Sequence, residues 1–127
     1  MKTHPSPLVN FLLAPSAPIA FQLLPVDDDP TQLSASWQPP DPPNGLITGY
    51  TVYCNVSTNQ FYEEQVPTGE TLFTVSVQNG NTTVSVTGLM PFTRYVCVVT
   101  ANTSAGEGQA SEPQNATTVQ DGEYAAL

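Results

Sequence analysis

Apolar and polar residues alternate with a period of two over most of this chain, the spacing of strands that bury one face. The clearest run is Tyr95-Val96-Cys97-Val98-Val99-Thr100-Ala101. Tyr95, Cys97, Val99 and Ala101 share one side of it, and Val96, Val98 and Thr100 the other. Ahead of it, Leu89 and Pro91 mark a bend fit to carry the chain from one sheet to another. Alternation recurs over residues 32–37, where Leu33, Ala35 and Trp37 are separated by polar side chains. It recurs again over residues 47–54, where Tyr50, Val52 and Cys54 fall on one face. A further strand opens near Ala17-Pro18 and runs over residues 19–24.

Turn residues separate these runs. Asp27-Asp28-Asp29-Pro30 reads as a turn. Gln38-Pro39-Pro40-Asp41-Pro42-Pro43-Asn44-Gly45 cannot cross a sheet interior, because proline has no amide hydrogen for the ladder. Residues 60–66 read as an edge strand, and Pro67-Thr68-Gly69-Glu70 as a turn. Residues 71–77 and 82–87 flank Asn79-Gly80, which predicts a hairpin. Gly106 and Gly108 then lead into a last strand over roughly residues 109–119.

These elements place one all-β domain at residues 17–119, with residues 120–127 a C-terminal tail and 1–16 a proline-bearing linker or N-terminal tail. The apolar stretch Leu8-Val9-Asn10-Phe11-Leu12-Leu13-Ala14 also suits the core of a signal peptide. Pro5, Pro7, Asn10 and Pro15 interrupt that pattern, and the linker is the preferred reading. No apolar run approaches the roughly 20 residues of a membrane-spanning helix.

Charge narrows the partners. Lys2 and Arg94 are the whole basic complement against 11 acidic residues, a net charge of -9. A polyanion needs lysine and arginine to neutralise its phosphates, so nucleic acid is excluded as an expected partner and anionic lipid is disfavoured. The two cysteines, Cys54 and Cys97, allow a single pairing. Four N-glycosylation sequons begin at Asn55, Asn81, Asn102 and Asn115, and none has proline at its middle position. Together they argue for a secreted or cell-surface setting.

Catalysis requires converging titratable groups, and little here meets that need. His4, the one histidine, falls in the N-terminal tail. A nucleophile–histidine pair would need it held in a folded site, and two cysteines with one tail histidine do not complete a structural zinc site. Asp27-Asp28-Asp29 offers oxygen ligands to calcium, but a solvated turn before Pro30 is the simpler reading. Glu63-Glu64 suits a charged edge that discourages strand-to-strand aggregation. No catalytic residue, metal site or cofactor is expected.

In combination the landmarks resemble the fibronectin type III family. They are Ala17-Pro18; Ser36-Trp37-Gln38-Pro39-Pro40; Gly45 with Ile47-Thr48-Gly49-Tyr50-Thr51-Val52-Tyr53; Val84 and Val86; and Gly88-Leu89-Met90-Pro91-Phe92-Thr93-Arg94-Tyr95. Val99-Thr100-Ala101-Asn102, Gly106-Glu107-Gly108 and Ser111 complete the set. The resemblance implies an immunoglobulin-like sandwich of seven strands, with sheets ABE and C′CFG. It makes Trp37 the core tryptophan and Tyr95 a corner tyrosine whose hydroxyl bonds upstream backbone. Tyr50, Val52, Leu89 and Val99 complete the expected core.

The cysteines depart from the family pattern, standing where apolar core residues of strands C and F belong. Two buried free thiols and a cross-strand disulfide both fit, and the sequons favour the disulfide. The integrin-binding Arg-Gly-Asp of some members is missing from the F–G loop, Thr103-Ser104-Ala105-Gly106-Glu107-Gly108, and the cytokine-receptor Trp-Ser-x-Trp-Ser signature is missing too. The resemblance thus implies a non-catalytic extracellular module, a spacer or protein-binding unit beside other modules of one parent chain. Residues 39–45 form its expected contact loop. Two alternatives stand beside it: an ectodomain fragment of a receptor tyrosine phosphatase or kinase, and an intracellular module with reduced cysteines.

Overall fold

The computed structural model describes residues 15–57, 73–78 and 80–120. The strands are β1 (Ile19–Val26), β2 (Asp29–Gln38), β3 (Gly49–Val56), β4 (Phe73–Gln78), β5 (Thr83–Val86), β6 (Arg94–Thr103), β7 (Gly106–Glu107) and β8 (Gln114–Thr117). They form two antiparallel sheets. One has the order β1-β2-β5, and the other β4-β3-β6-β7, with β8 also paired to β6. In the letters used above these are sheets ABE and C′CFG, strand G being divided into β7 and β8. No helix occurs among the described residues.

The alternation in the sequence accounts for the layers. Leu33, Ala35 and Trp37 of β2 point inward from the small sheet, and Tyr50, Val52 and Cys54 of β3 meet them from the large one. Tyr95, Cys97, Val99 and Ala101 of β6 complete the interior. Trp37 packs against Tyr50 with ring centroids 5.3 Å apart and planes tilted by 58°. The opposite side of β6 is enclosed as well: Val96, Val98 and Thr100 are also buried. Of the expected core residues, Trp37, Tyr50, Val52, Leu89, Tyr95 and Val99 are all buried.

Sequence expectations are corrected at more than one place. The hairpin expected of residues 71–77 and 82–87 about Asn79-Gly80 does not form among the described residues. β4 pairs with β3, from Cys54 opposite Phe73 to Gly49 opposite Gln78. β5 pairs with β2 in the other sheet, from Leu33 opposite Val86 to Ser36 opposite Thr83. A turn is present, since the Asn81 amide donates to the Gln78 carbonyl at 3.2 Å. It carries the chain between layers instead of folding it back within one. The physical reason is that each arm finds a longer partner. β2 and β3 each have a free flank, and the Trp37 amide starts the β5 pairing by donating to the Thr82 carbonyl at 3.0 Å. Turn chemistry marks a reversal but does not choose the partner.

The last strand is also broken where the sequence suggests continuity. Gly106 and Glu107 form β7 instead of a turn, and residues 108–113 leave regular pairing. Ser111 bridges the gap. Its amide donates to the Val99 carbonyl at 2.9 Å. Its hydroxyl accepts the Val99 amide at 3.0 Å, taking the place of a backbone carbonyl. Pro15 is buried beside Gly108, where an added Cβ would come within 2.3 Å of the Pro15 carbonyl oxygen. The expected strand at 60–66, the turn at 67–70, Glu63-Glu64, His4 and the tail beyond residue 120 lie outside the described residues.

Candidate functional site

Chemistry-bearing groups gather in three places: the two loop ends of the sandwich and the outer face of the large sheet. The first loop end joins the proline-rich segment to the β6–β7 turn. The Ser16 hydroxyl donates to the Pro42 carbonyl at 2.6 Å. Thr48 donates twice to the Asn102 carbonyl, from its amide at 2.7 Å and from its hydroxyl at 3.1 Å. Across the turn, the Ala105 amide donates to the Thr103 hydroxyl at 3.1 Å. Asn44 and Gly45 sit side by side at φ 56° and 137°, a reversal that glycine makes easy. The product is a short, tethered loop whose apolar tip, Leu46, is 80% exposed.

The opposite end is built around Tyr95. Its ring is fully buried and meets the edge of Phe73 at 5.9 Å. Its hydroxyl accepts the Met90 amide at 2.9 Å, the upstream tie expected of a corner tyrosine. Thr118 fastens the same corner to the outgoing chain. Its hydroxyl donates to the Met90 carbonyl at 2.6 Å and accepts the Thr93 amide at 2.9 Å. The Phe92 amide donates to the Val119 carbonyl at 3.0 Å. Met90 and Phe92 stay exposed, and Phe92 lines a cleft of about 600 Å³ together with Asp27, Asp28 and Val119.

On the outer face of the large sheet, one carboxylate collects two hydroxyls. Glu107 accepts hydrogen bonds from Tyr53 of β3 and from Thr100 of β6, the latter at 2.7 Å. Bonding to Glu107, with burial and the nearby negative charge adding to it, pushes the Tyr53 phenol up to about 12. The sequence hides this cluster because Gly106-Glu107-Gly108 reads as a turn, whereas Glu107 lies on β7. Strand alternation alone sets Tyr53 and Thr100 on the outward faces of neighbouring strands, and that was the available signal. Burial alone raises the Tyr50 phenol above its ordinary value.

The remaining candidates separate cleanly. Cys54 and Cys97 are directly opposed across β3 and β6, and the structure joins them in a disulfide with Cα atoms 4.1 Å apart. That spacing is slightly shorter than the usual range of about 4.4–6.8 Å. Asn55 and Asn102 are half-buried on central strands of the large sheet, whereas Asn81 and Asn115 are exposed. The predicted Asp27–Pro30 turn is confined to Asp27 and Asp28, and at the start of β2 the Asp29 carboxylate is taken up by the amide and hydroxyl of Thr31 and by the Gln32 carboxamide. Those bonds, the Thr31 hydroxyl first, hold Asp29 below the usual carboxylate value. Among the described residues, no group of three or more histidine, cysteine or acidic side chains is placed to hold a metal ion.

Comparison with known proteins follows the architecture. The family model "Fibronectin type III domain" matches residues 16–117. Ephrin type-B receptor 3 of Xenopus laevis is 35% identical over 96 residues, covering 75% of this chain and 9% of the receptor. Roundabout homolog 1 of Homo sapiens is 34% identical over 104 residues, covering 80% of this chain and 6% of that protein. The chain therefore spans less than a tenth of the length of these curated relatives. Among solved structures, the FN5 domain of Drosophila Lar superposes with a TM-score of 0.63 at 28% identity, over 85% of this chain and all of that one. The third fibronectin III domain of the human KIAA0343 protein gives a TM-score of 0.72 at 21% identity, over 95% of this chain and 92% of that one, a likeness of fold.

Proposed function

This chain belongs to the fibronectin type III family, and on that premise we propose that it is a non-catalytic extracellular module, both a spacer within a larger protein and a contact unit for a protein partner. One observation carries the contact role. Thr48 and Asn102 hold the two loops of one end together, so Leu46 is displayed on a tethered support. A contact ordered before binding loses less conformational entropy on association, which favours affinity. The partner is a protein surface able to cover an aliphatic side chain flanked by prolines and small polar residues. Acidic net charge argues against a polyanionic partner.

Three features support the extracellular setting: the four sequons, the Cys54–Cys97 disulfide and the named receptors among the relatives. Structural disulfides persist in oxidising compartments and are rare in the cytosol. The test is a thiol count on protein taken from its natural source, denatured without reductant. No titratable thiol is expected from Cys54 and Cys97. Two free thiols would overturn the extracellular reading and favour the intracellular one. The contact role has its own test, in a binding screen against extracellular proteins run in parallel with Leu46→Glu. Because Leu46 is 80% exposed, the variant keeps its fold. Partners that bind both proteins equally would remove Leu46 from the contact.

A further inference from the structure

The four sequons are equivalent in sequence form, but the fold gives them unequal surroundings. We infer that Asn81 and Asn115 carry N-linked glycans and that Asn55 and Asn102 stay bare, an inference that rests on the extracellular reading and deepens it.

Asn81 follows the turn between the two sheets, just ahead of β5, and is exposed. Asn115 lies on β8, which among the described strands pairs only with β6, and it too is exposed. Neither carboxamide is engaged by another described residue, so a sugar on either side-chain nitrogen leaves straight into solvent.

Asn102 differs on both counts. It is half-buried on β6, between β3 and β7, and its side-chain nitrogen donates to the Thr51 hydroxyl at 3.0 Å. The Asn102 carbonyl also receives both hydrogen bonds from Thr48, so this residue is the joint of the loop end. A glycan rooted there would have to displace that packing. Asn55 is half-buried on β3 opposite Val96, and its side-chain oxygen accepts the Val56 amide at 2.9 Å. The third residue of its sequon, Ser57, is tied by its amide to the Arg94 carbonyl at 2.9 Å.

The sequence supplies an independent reason for the same division. The exposed pair are threonine sequons, Asn81-Thr82-Thr83 and Asn115-Ala116-Thr117. The half-buried pair are serine sequons, Asn55-Val56-Ser57 and Asn102-Thr103-Ser104. The glycan transferase uses threonine at the third position more readily than serine. Transfer occurs on the unfolded chain, so the fold acts afterwards, by deciding which glycosylated forms become compact and leave the cell.

The test is secretion of the whole chain from mammalian cells behind an added signal peptide, which makes it independent of where the natural protein resides. Secreted protein is treated with peptide N-glycosidase in heavy-oxygen water and mapped by mass spectrometry. Heavy-oxygen aspartate is expected at positions 81 and 115 and ordinary asparagine at 55 and 102. Asn81→Gln and Asn115→Gln should each be secreted lacking one glycan's mass. Label at 55 or 102, or its absence at 81 or 115, overturns the inference. Ser104→Thr separates fold from motif. If the variant is glycosylated at Asn102 and secreted as well as the parent, the structural part of the argument fails; if Asn102 stays bare or the glycosylated form is retained, it stands. The extracellular reading is judged separately, by the thiol count on natural protein.

Discussion

Tyr95→Phe isolates one hydrogen bond at the point where the chain changes sheets. The substitution keeps the ring, which is fully buried and packs edge-on to Phe73 at 5.9 Å, and removes only the hydroxyl that accepts the Met90 amide at 2.9 Å. No cavity larger than one oxygen atom results, so the cost is that of an amide left without its partner. Such losses run from about 1 to 3 kcal/mol, the upper end applying when water cannot reach the orphaned donor. The bond is part-buried, so the amide is not sealed from solvent once the hydroxyl is gone. That places the expected loss at about 1–2 kcal/mol. For a domain of about 100 residues this lowers Tm by roughly 4–16 °C. Trp37 is the one tryptophan and is buried, which makes its fluorescence a direct reporter in a urea titration. A loss below about 0.5 kcal/mol, the range of a neutral surface change, would refute the reasoning. A loss above about 4 kcal/mol would equally refute it, since only disrupted packing costs that much.

Further predictions concern other parts of the sandwich. Replacing Cys54 and Cys97 together by alanine removes a crosslink spanning 43 residues of sequence. Chain entropy then predicts a loss of about 4 kcal/mol, read as a fall in the guanidinium midpoint, with reductant lowering the parent's midpoint but not the variant's. Tyr53 should ionise at about pH 12, later than a free tyrosine, when absorbance at 295 nm is followed against pH. Because the folded value lies above the unfolded one, the contribution of its bond to Glu107 is whole below about pH 10 and disappears as pH rises through about 12. Glu107→Gln should bring that ionisation down, and an unchanged titration would rule out Glu107 as the cause. Gly49→Ala sets a Cβ 2.6 Å from the Val77 carbonyl oxygen. Because that atom is backbone in the β3–β4 ladder, the strands must separate, at a cost of about 1–3 kcal/mol by denaturation.

The layers of this fold were legible wherever a strand buries one face and exposes the other. Leu33, Ala35 and Trp37 announce β2, and Tyr95, Cys97, Val99 and Ala101 announce the inner side of β6, because the period of two records a two-sided environment. Illegible parts depend on side chains bonding to distant backbone. Ser111 interrupts the last strand through its hydroxyl, 12 residues from its partner Val99. Thr118 reaches 28 residues back to Met90. Neither residue differs locally from the other hydroxyl residues around it. The failed hairpin has the same origin, since Gly80 specifies a reversal while the partners of β4 and β5 are set by β3 and β2. The Tyr53–Glu107–Thr100 cluster joins three strands and so becomes visible only once their registers are known.

The ties at the Tyr95 corner bear on the proposed spacer role more than their small individual energies suggest. A spacer must fix the direction in which the chain leaves it, and a terminal strand alone does this poorly because its last residues fray. Here the departing segment is held from the side. The Thr118 amide donates to the Thr93 carbonyl at 3.0 Å, its hydroxyl reaches Met90, and the Val119 carbonyl accepts the Phe92 amide. Met90 is in turn the residue whose amide the Tyr95 hydroxyl accepts. The exit path is therefore referred, through Met90, to the fully buried ring of Tyr95. The other end holds the entering segment in a similar way, through the Ser16 hydroxyl on the Pro42 carbonyl and the Gln109 amide on the Pro15 carbonyl, and adds the Thr48–Asn102 ties beneath Leu46. The proposed spacer role therefore draws on ties at both ends of the sandwich, whereas the proposed contact role rests on the Thr48–Asn102 end alone.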